Sequence, residues 1–344
     1  MKKSDMMDFF QNHYTTNTPE KKVVFMIDWK KVFLGLPLLL TACAAPQTPA
    51  ETKTVWVMDT ACTISLHGGS GDAAAQRLSG LDQMLDNYDP DSDISRLNAA
   101  GTLSGIPELA EIAAQTADLQ QRFGSRVDLT VGKLTALWGI TTDHPHVPSE
   151  TELRAVLPTI SPAHVSTSGD TVTLADGAQL DCGAVAKGYA LDQVKALLEQ
   201  DTGITWGTVS MTSSILCYGE KPDGAPFRLE IRDPDGDGVL GTASVDACFL
   251  STSGGYERYF TADDGKQYCH ILDPVTGMPA ETDLNTVTVF CDSGLMSDFL
   301  STSIWMEGTA GIESHLHAAD YQIVAQDKDG TLYVSDGLDF TPND

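Results

Sequence analysis

Hydrophobic and polar positions follow two different periods along this chain. Residues 54–68, TVWVMDTACTISLHG, alternate apolar and polar side chains with the period of two that indicates a β-strand. Helical spacing follows in two segments, whose inward positions are Leu78, Leu81, Leu85 and Tyr88, then Leu109, Ile112, Thr116, Leu119 and Phe123. Pro107 precedes the second set and favours a helix start there. The pattern therefore predicts a strand followed by helices.

The second half of the chain changes character. A capping box at residues 149–152, SETE, predicts a short helix, and another helix follows Gly183. From residue 204 onward strands are separated by turns at KPDG, DPDGDG, DDGK and DKDG, and one helix interrupts them at residues 293–307. Helices and strands do not alternate as regular βαβ units. The predicted fold class is therefore α+β, with mixed helices and antiparallel strand meanders in one compact catalytic unit.

The N-terminal region has the features of an export signal. In residues 30–43, KKVFLGLPLLLTAC, two lysines precede an apolar run that is too short to span a bilayer. The ending L-T-A-C resembles the bacterial lipobox, whose cysteine becomes the lipidated first residue. We expect a signal peptide at residues 1–42 with Met26 as the true start, a lipidated tether at 43–54, and a catalytic domain at 55–344. Cys43 would anchor the protein to the extracytoplasmic face of the cell membrane. A buried core helix is the alternative, which the flanking lysines disfavour.

Composition and charge narrow the classes of function. The chain has 344 residues, 42% of them hydrophobic, and a formal net charge of −27. Such a charge repels a nucleic-acid backbone, so the sequence predicts no nucleic-acid partner. An anionic substrate would need a metal ion to offset the local charge. The cysteines other than Cys43 form no C-x-x-C pair and are interpreted mostly as small core residues.

One helical segment carries candidate metal ligands. In residues 292–308, DSGLMSDFLSTSIWMEG, Asp298 and Thr302 are spaced i, i+4 and share a helix face, with Ser301 beside them. A carboxylate and a hydroxyl are hard oxygen ligands that suit Mg²⁺. An ordinary solvated face remains the alternative. The stretch RDPDGDG resembles half of an EF-hand loop, but its twelfth position is Ser244 where a glutamate is needed, which favours a plain turn.

Two further stretches suggest anion binding and proton transfer. Residues 181–192, DCGAVAKGYALD, have a small-residue turn that opens a helix with Lys187 in its first turn, which is how many proteins receive phosphates. The stretch is neither a Walker A loop nor a Rossmann fingerprint. His270 stands at a strand end before a loop and is either a general base or a structural histidine.

Six segments in order resemble the motifs of one family. These are MDT at residues 58–60, LDNYDPDSDISRLN, VDLTVGKLTALWGI, LDCGAVAKGYALD, the pair STSGGYERYF and HILDPVTGMP, and SDFLSTSIWMEG. They resemble the FAD:protein FMN transferases, the ApbE-type flavin transferases. Three positions depart from the family pattern: Asp59 replaces the glycine of M-G-T, Val127 replaces a phenylalanine, and Ser210-Met211-Thr212-Ser213-Ser214 replaces a strand with two glycines.

The resemblance implies a set of site residues. The phosphate near Lys187 would be the pyrophosphate of FAD. The carbonyl of Ala184 and the side chains of Asp298 and Thr302 would bind Mg²⁺. Positions that would contact flavin or adenine are Met58, Tyr88, Arg126, Val127, Asp128, Asp181 and Ile271. We interpret His270 as the candidate catalytic base.

The implied function is Mg²⁺-dependent transfer of FMN from FAD to a threonine or serine hydroxyl of a client protein, with release of AMP. The clients would belong to extracytoplasmic electron-transfer systems. Two alternatives stay open: a Mg²⁺-dependent FAD pyrophosphatase that yields FMN and AMP, and a non-catalytic flavin-binding lipoprotein.

Overall fold

An eight-stranded antiparallel sheet forms the centre of the protein. The computed structural model describes residues 50–124, 126–263 and 265–343. The strands are β1 (Glu51–Val57), β2 (Thr60–His67), β3 (Thr102–Leu103), β4 (Val165–Ser168), β5 (Thr171–Leu174), β6 (Trp206–Met211), β7 (Ser214–Gly219), β8 (Phe227–Arg232), β9 (Val239–Val245), β10 (Cys248–Gly254), β11 (Tyr259–Thr261), β12 (Gln267–Cys269), β13 (Leu284–Cys291), β14 (Tyr321–Asp327), β15 (Leu332–Val334) and β16 (Asp339–Pro342).

Eight α-helices lie in the described residues. They are α1 (Asp72–Leu85), α2 (Asp93–Ala100), α3 (Pro107–Phe123), α4 (Gly132–Trp138), α5 (Glu150–Val156), α6 (Ala186–Leu198), α7 (Gly294–Glu307) and α8 (Ile312–Leu316). The central sheet has the strand order β1-β2-β6-β7-β10-β13-β14-β15. Three small sheets complete the fold, in the orders β16-β9-β8, β3-β5-β4 and β11-β12. The predicted α+β class is confirmed.

Strand β13 shows how the central sheet separates two apolar cores. Val289 packs into the large core that also contains residues of α1, α3, α6 and α7, whereas Phe290 packs into a core shared with β8 and β9. Successive residues of a strand point to opposite faces of the sheet, and both of these side chains are buried. Helices therefore cover one face of this part of the sheet, and the small sheet β16-β9-β8 covers the other.

Local signals in the sequence set several helix starts. Ser149 and Glu152 form the predicted capping box at the start of α5. Pro107 is the first residue of α3, and the helix ends at Gly124, whose φ of 61° is left-handed. Ser293 caps α7 by accepting a hydrogen bond from the Met296 amide. These helices begin within a residue or two of the predicted positions.

The structure corrects two boundaries. The segment 54–68 is not one strand but the hairpin β1–β2, which turns at Met58 and Asp59. Strand β1 begins at Glu51, so residues 51–54 belong to the sheet rather than to the predicted tether. The predicted signal peptide and Cys43 lie outside the described residues. No described helix has the length and hydropathy needed to cross a membrane.

The DPDGDG stretch and the cysteines take ordinary structural roles. In the turn between β8 and β9, the Asp233 amide donates a hydrogen bond to the Gly238 carbonyl over 3.0 Å. Across the described residues, no group of three or more His, Cys, Asp or Glu side chains is arranged to hold a metal ion. Each of the cysteines at 62, 182, 217, 248, 269 and 291 is a free thiol.

Candidate functional site

Helices α6 and α7 cross with their backbones in direct contact. A Cβ atom added to Gly188 would lie 2.0 Å from the carbonyl oxygen of Gly294, and one added to Gly294 would lie 2.2 Å from the carbonyl oxygen of Gly188. Only glycine permits so close an approach. The crossing brings the start of α6, with Ala184 just before it and Lys187 in its first turn, close to Asp298 of α7.

Asp298 is a buried carboxylate at this crossing. Its exposed fraction is 4%. One carboxylate oxygen, Oδ2, accepts a hydrogen bond from the Gly188 amide over 3.0 Å, and Oδ1 accepts one from the Ser214 hydroxyl over 3.3 Å. No lysine, arginine or histidine in the described part of the chain forms an ion pair with it. A buried carboxylate without a counter-charge fits a bound cation.

Thr302 belongs to a layer of hydroxyl groups between α7 and β10. Its Oγ1 lies 3.0 Å from the Ser253 hydroxyl, which also lies 2.9 Å from the hydroxyl of Ser301. Ser301 is fully buried, as is Ser297, whose hydroxyl lies 3.0 Å from that of Ser251. The alternative of a solvated helix face is therefore wrong for Asp298 and Ser301. The face instead presents hard oxygen donors beside the carboxylate.

The turn before α6 places Ala184 and Lys187 at the start of that helix. The Cys182 carbonyl accepts hydrogen bonds from the amides of Val185 and Ala186 over 2.9 and 2.8 Å, which forms the first turn. Ala184 is half-buried next to this turn. Lys187 is the second residue of α6 and has no hydrogen-bond or ion-pair partner among the described residues. A lysine with this freedom at a helix N-terminus suits an anionic ligand.

His270 is held in one orientation and kept neutral. Its amide donates to the Arg258 carbonyl over 3.0 Å, and its Nδ1 lies 3.1 Å from the same oxygen, so Nδ1 carries the proton. Nε2 is then the acceptor nitrogen of the neutral ring. Burial lowers the pKa of His270 to about 4, with contributions from the charges of Arg258 and Lys187. His270 and Lys187 therefore lie close enough for their charges to interact.

Asp273 and Arg126 form an ion pair beside the turn that follows His270. Arg126 Nη1 donates to Asp273 Oδ2 over 2.9 Å, while Asp273 Oδ1 accepts the Val275 amide over 2.8 Å. Both carboxylate oxygens of Asp273 are thus engaged in holding the turn. Ile271 is buried, and its carbonyl accepts the Ala280 amide over 2.8 Å. Arg126 is therefore joined through Asp273 to the segment that contains His270 and Ile271.

Tyr88 presents an exposed ring near two carboxylates. Its side chain is 60% exposed, and its hydroxyl lies 2.7 Å from that of Thr141. Partial burial raises the pKa of Tyr88, and the charges of Asp181 and Asp59 raise it further. Asp181 accepts the Gly183 amide over 2.8 Å, in the turn before α6. Tyr88 and Asp181 are thus neighbours, and the ring is available for stacking.

The turn at Met58 and Asp59 connects the hairpin β1–β2 to the same region. Both residues have positive φ, 50° and 55°, where glycine is favoured and aspartate is tolerated. This conformation explains how Asp59 replaces the family glycine. Asp82 accepts the Met58 amide over 2.8 Å, and Arg258 Nη2 donates to the Asp59 carbonyl over 3.3 Å. The turn is thereby joined to the segment that holds His270.

Val127 and Asp128 have local structural partners. Val127 is buried, and its carbonyl accepts the Gln120 side-chain amide over 2.6 Å. Asp128 Oδ1 accepts hydrogen bonds from the Thr130 amide and hydroxyl over 2.9 and 2.7 Å. These contacts do not connect either side chain with α6, α7 or His270. Their predicted contact with flavin or adenine stays a prediction.

Sequence reasoning missed three residues that shape the site. Arg258 fixes both His270 and the turn at Asp59. Ser214 lies in the segment that departs from the family glycines, and its hydroxyl reaches Asp298. Asp192, the last residue of the quoted DCGAVAKGYALD stretch, binds the start of α7. Its i, i+4 spacing from Gly188, which repeats in Gly294 and Asp298, was the signal available in the sequence.

Comparison with known proteins decides the family. The model of the ApbE family matches residues 58–324. The chain belongs to the ApbE family. It is 30% identical over 309 residues to a FAD:protein FMN transferase of Klebsiella pneumoniae (strain 342), covering 82% of this chain and 87% of that protein. A FAD:protein FMN transferase of Salmonella typhimurium is 28% identical over 305 residues, covering 81% and 87%. The predictions of an ApbE-type protein and of a transferase are confirmed.

Solved structures of ApbE proteins share this fold. The apo crystal structure of the Pseudomonas stutzeri flavinyl transferase ApbE matches with a TM-score of 0.73 and 30% identity, over 84% of this chain and 96% of that one. The crystal structure of the ApbE protein from Thermotoga maritima matches with a TM-score of 0.77 and 25% identity, over 83% and 97%. This ApbE chain therefore shares its fold with these two structures over nearly their whole length.

Proposed function

We propose that this ApbE protein transfers FMN from FAD to a threonine or serine hydroxyl of an extracytoplasmic client protein, with release of AMP, and that the reaction requires Mg²⁺. The observation that carries the proposal is the α6–α7 crossing. There, a buried carboxylate without a counter-charge lies beside the helix start that bears the unpaired Lys187. Membership of the ApbE family supports FAD as the substrate, because relatives of this chain are named FAD:protein FMN transferases.

The oxygen donors fit a hard divalent cation. Asp298 and Thr302, with the carbonyl of Ala184, would hold Mg²⁺, and substrate phosphates with water would complete its shell. Bound there, Mg²⁺ would neutralise charge on the pyrophosphate during transfer. The protein's net charge of −27 makes such neutralisation important for an anionic substrate.

The residues around the crossing have distinct tasks in this reaction. Lys187 and the N-terminus of α6 bind the pyrophosphate of FAD, and Tyr88 offers a ring face for stacking. The client hydroxyl oxygen attacks the phosphorus on the FMN side, and the bond between that phosphorus and the bridging oxygen breaks. AMP leaves with the bridging oxygen, and the hydroxyl proton moves to Nε2 of His270. Positioning and charge neutralisation carry most of the catalysis.

The proposal is tested by weighing the client. The mature protein is incubated with FAD, MgCl₂ and candidate client proteins, and each client is analysed by intact mass spectrometry. We expect AMP in solution and one covalently bound FMN per acceptor site. EDTA should prevent both. AMP with free FMN and an unmodified client would instead favour a pyrophosphatase, and intact FAD would favour a binding protein.

The pH profile should reflect the lowered pKa of His270. Burial and the charges of Arg258 and Lys187 lower the pKa of His270 from the ordinary value of 6.5 to about 4. Because the free enzyme keeps the ring neutral, kcat/KM for AMP release should show no His270 step near 6.5 and should fall only toward about pH 4. The control is His270→Gln, which should lack this acidic limb. A wild-type step near 6.5 that the variant lacks would contradict the lowered pKa of His270, and a wild-type acidic limb that the variant retains would contradict its role as the base.

The same pKa shift predicts the sign of the stability change with pH. The unfolded chain protonates His270 below about 6.5, whereas the folded protein resists protonation down to about 4. The contribution of His270 to stability is therefore complete above this window and is lost as the pH falls through it. Urea unfolding of wild type and His270→Gln across the window measures the difference.

We propose that a lipid on Cys43 anchors the protein to the extracytoplasmic face of the cell membrane. The L-T-A-C ending and the apolar run before it support this. Cys43→Ala should abolish incorporation of a radiolabelled fatty acid and release the protein from the membrane fraction. Wild-type protein with an unprocessed N-terminus, or a variant that is still labelled, would contradict the proposal.

A further inference from the structure

Where α6 and α7 cross, each helix provides a carboxylate that accepts a hydrogen bond from a backbone amide of the other helix. On α6, Asp192 follows Gly188 by four residues, and on α7, Asp298 follows Gly294 by four residues. The Gly294 amide donates to Asp192 Oδ1 over 2.7 Å, and the Gly188 amide donates to Asp298 Oδ2 over 3.0 Å. Each helix thus supplies a carboxylate to an amide near the start of the other.

The two carboxylates differ in what else they bind. Asp192 Oδ2 also accepts the Leu295 amide over 2.8 Å and lies 3.4 Å from the Ser293 hydroxyl, so both its oxygens are bonded to the first turn of α7. Asp298 has one amide and one hydroxyl partner, and it retains acceptor capacity on both oxygens. Asp192 therefore holds a helix, while Asp298 is free to accept a cation.

We propose that Asp192 is a positioning residue for the metal site, a proposal that rests on the proposed function. By bonding to the start of α7, Asp192 fixes that helix against α6. Asp298 lies about one helical turn after Gly294, and Thr302 lies about two turns after it. The positions of both side chains relative to Ala184 and Lys187 therefore depend on the hydrogen bonds between Asp192 and the start of α7. Because Gly188 and Gly294 have no side chain, the two helix backbones can touch, and the hydrogen bonds of Asp192 set the position of α7 relative to α6.

Loss of the carboxylate should weaken metal binding. Groups that orient metal ligands typically contribute about 10–100-fold to metal affinity, and we expect that loss in Asp192→Ala. Asp192→Asn keeps the volume and one acceptor oxygen but loses the other acceptor, so its loss should be smaller. Mn²⁺ binding to the purified full-length protein, measured by electron paramagnetic resonance, gives the affinity without reference to turnover. The half-saturating Mg²⁺ concentration for AMP release should rise by a similar factor, while the rate at saturating Mg²⁺ stays near wild type.

A matched control separates positioning from simple destabilisation. Asp327 is also shielded from solvent and accepts the Thr331 amide over 2.8 Å, the Asp329 amide over 3.0 Å and the Tyr333 hydroxyl over 3.0 Å, but it lies at the end of β14. Asp327→Asn should lower the melting temperature and leave Mn²⁺ affinity unchanged.

Two outcomes overturn the inference, and they differ in what else they overturn. Normal Mn²⁺ affinity in both Asp192 variants, with wild type binding Mn²⁺, overturns the positioning role alone. Absence of Mn²⁺ binding and of Mg²⁺ dependence in wild type overturns the proposed metal site as well. If Asp192→Ala does not fold, Asp192→Asn alone decides, since it preserves side-chain volume.

Discussion

Replacing Asp298 by asparagine should lower the rate of Mg²⁺-dependent FMN transfer on the order of 10³-fold, because a metal ion at such a centre contributes several kcal/mol to transition-state stabilisation. Asparagine is preferred to alanine here because Asp298 is buried and bonded to the Gly188 amide. Its side-chain oxygen can keep that hydrogen bond while the charge is lost. The measurement is the initial rate of AMP release over a range of Mg²⁺ concentrations.

Thr302→Ala is the graded comparison for this prediction. A neutral hydroxyl compensates less of the cation's charge than a carboxylate, so its loss should be milder. Melting temperatures of both variants show whether the fold is kept. Wild-type AMP release by Asp298→Asn at low Mg²⁺ would show that Asp298 is not the charged ligand.

Replacing His270 by glutamine should slow single-turnover FMN transfer by about 10²–10⁴-fold, the usual contribution of general acid–base catalysis. Affinities for FAD and Mn²⁺ should stay near wild type, because the proton acceptor of the reaction is not needed to bind either. In the wild type the Arg258 carbonyl accepts a hydrogen bond from Nδ1 of His270, and a glutamine amide can still donate to it. The variant therefore tests the loss of Nε2 and not the loss of this hydrogen bond. The three quantities are measured on one preparation.

A structural role for His270 gives a different set of results. His270→Ala would then lower the melting temperature and weaken FAD binding together, while His270→Gln would transfer FMN at the wild-type rate. In that case Asp181 becomes the next candidate base. Asp273 is the weaker candidate, because its two oxygens are occupied by Arg126 and the Val275 amide.

Much of the fold followed from local patterns that the sequence contains. The capping box at Ser149 and the proline at the start of α3 act within a few residues, so neighbouring side chains suffice to define them. The β1–β2 hairpin was missed because Met58 and Asp59 are not typical of a tight turn. Both nevertheless adopt positive φ, which the surrounding hydrogen bonds to Met58 and Asp59 support.

The candidate site was predictable only in part. Asp298 and Thr302 share a helix face by spacing alone, but the choice between a metal site and a solvated face depends on burial, which spacing does not reveal. The tertiary structure buries Asp298 and brings it within hydrogen-bonding distance of Ser214, which belongs to the segment that departs from the family pattern. The Ser214 hydroxyl therefore lies next to the proposed ligand.

The sequence by itself determined the helix starts, the α+β class, the order of the family motifs and the residue types for hard-metal and phosphate chemistry. Only the tertiary structure decided which of those residues meet. Gly188 and Asp298 are 110 residues apart in the chain, and Gly294 and Asp192 are 102 apart. Periodicity describes one helix at a time, whereas the crossing of α6 and α7 results from close packing of two glycines and two carboxylates across that distance. The role of Asp192 emerges only from that packing.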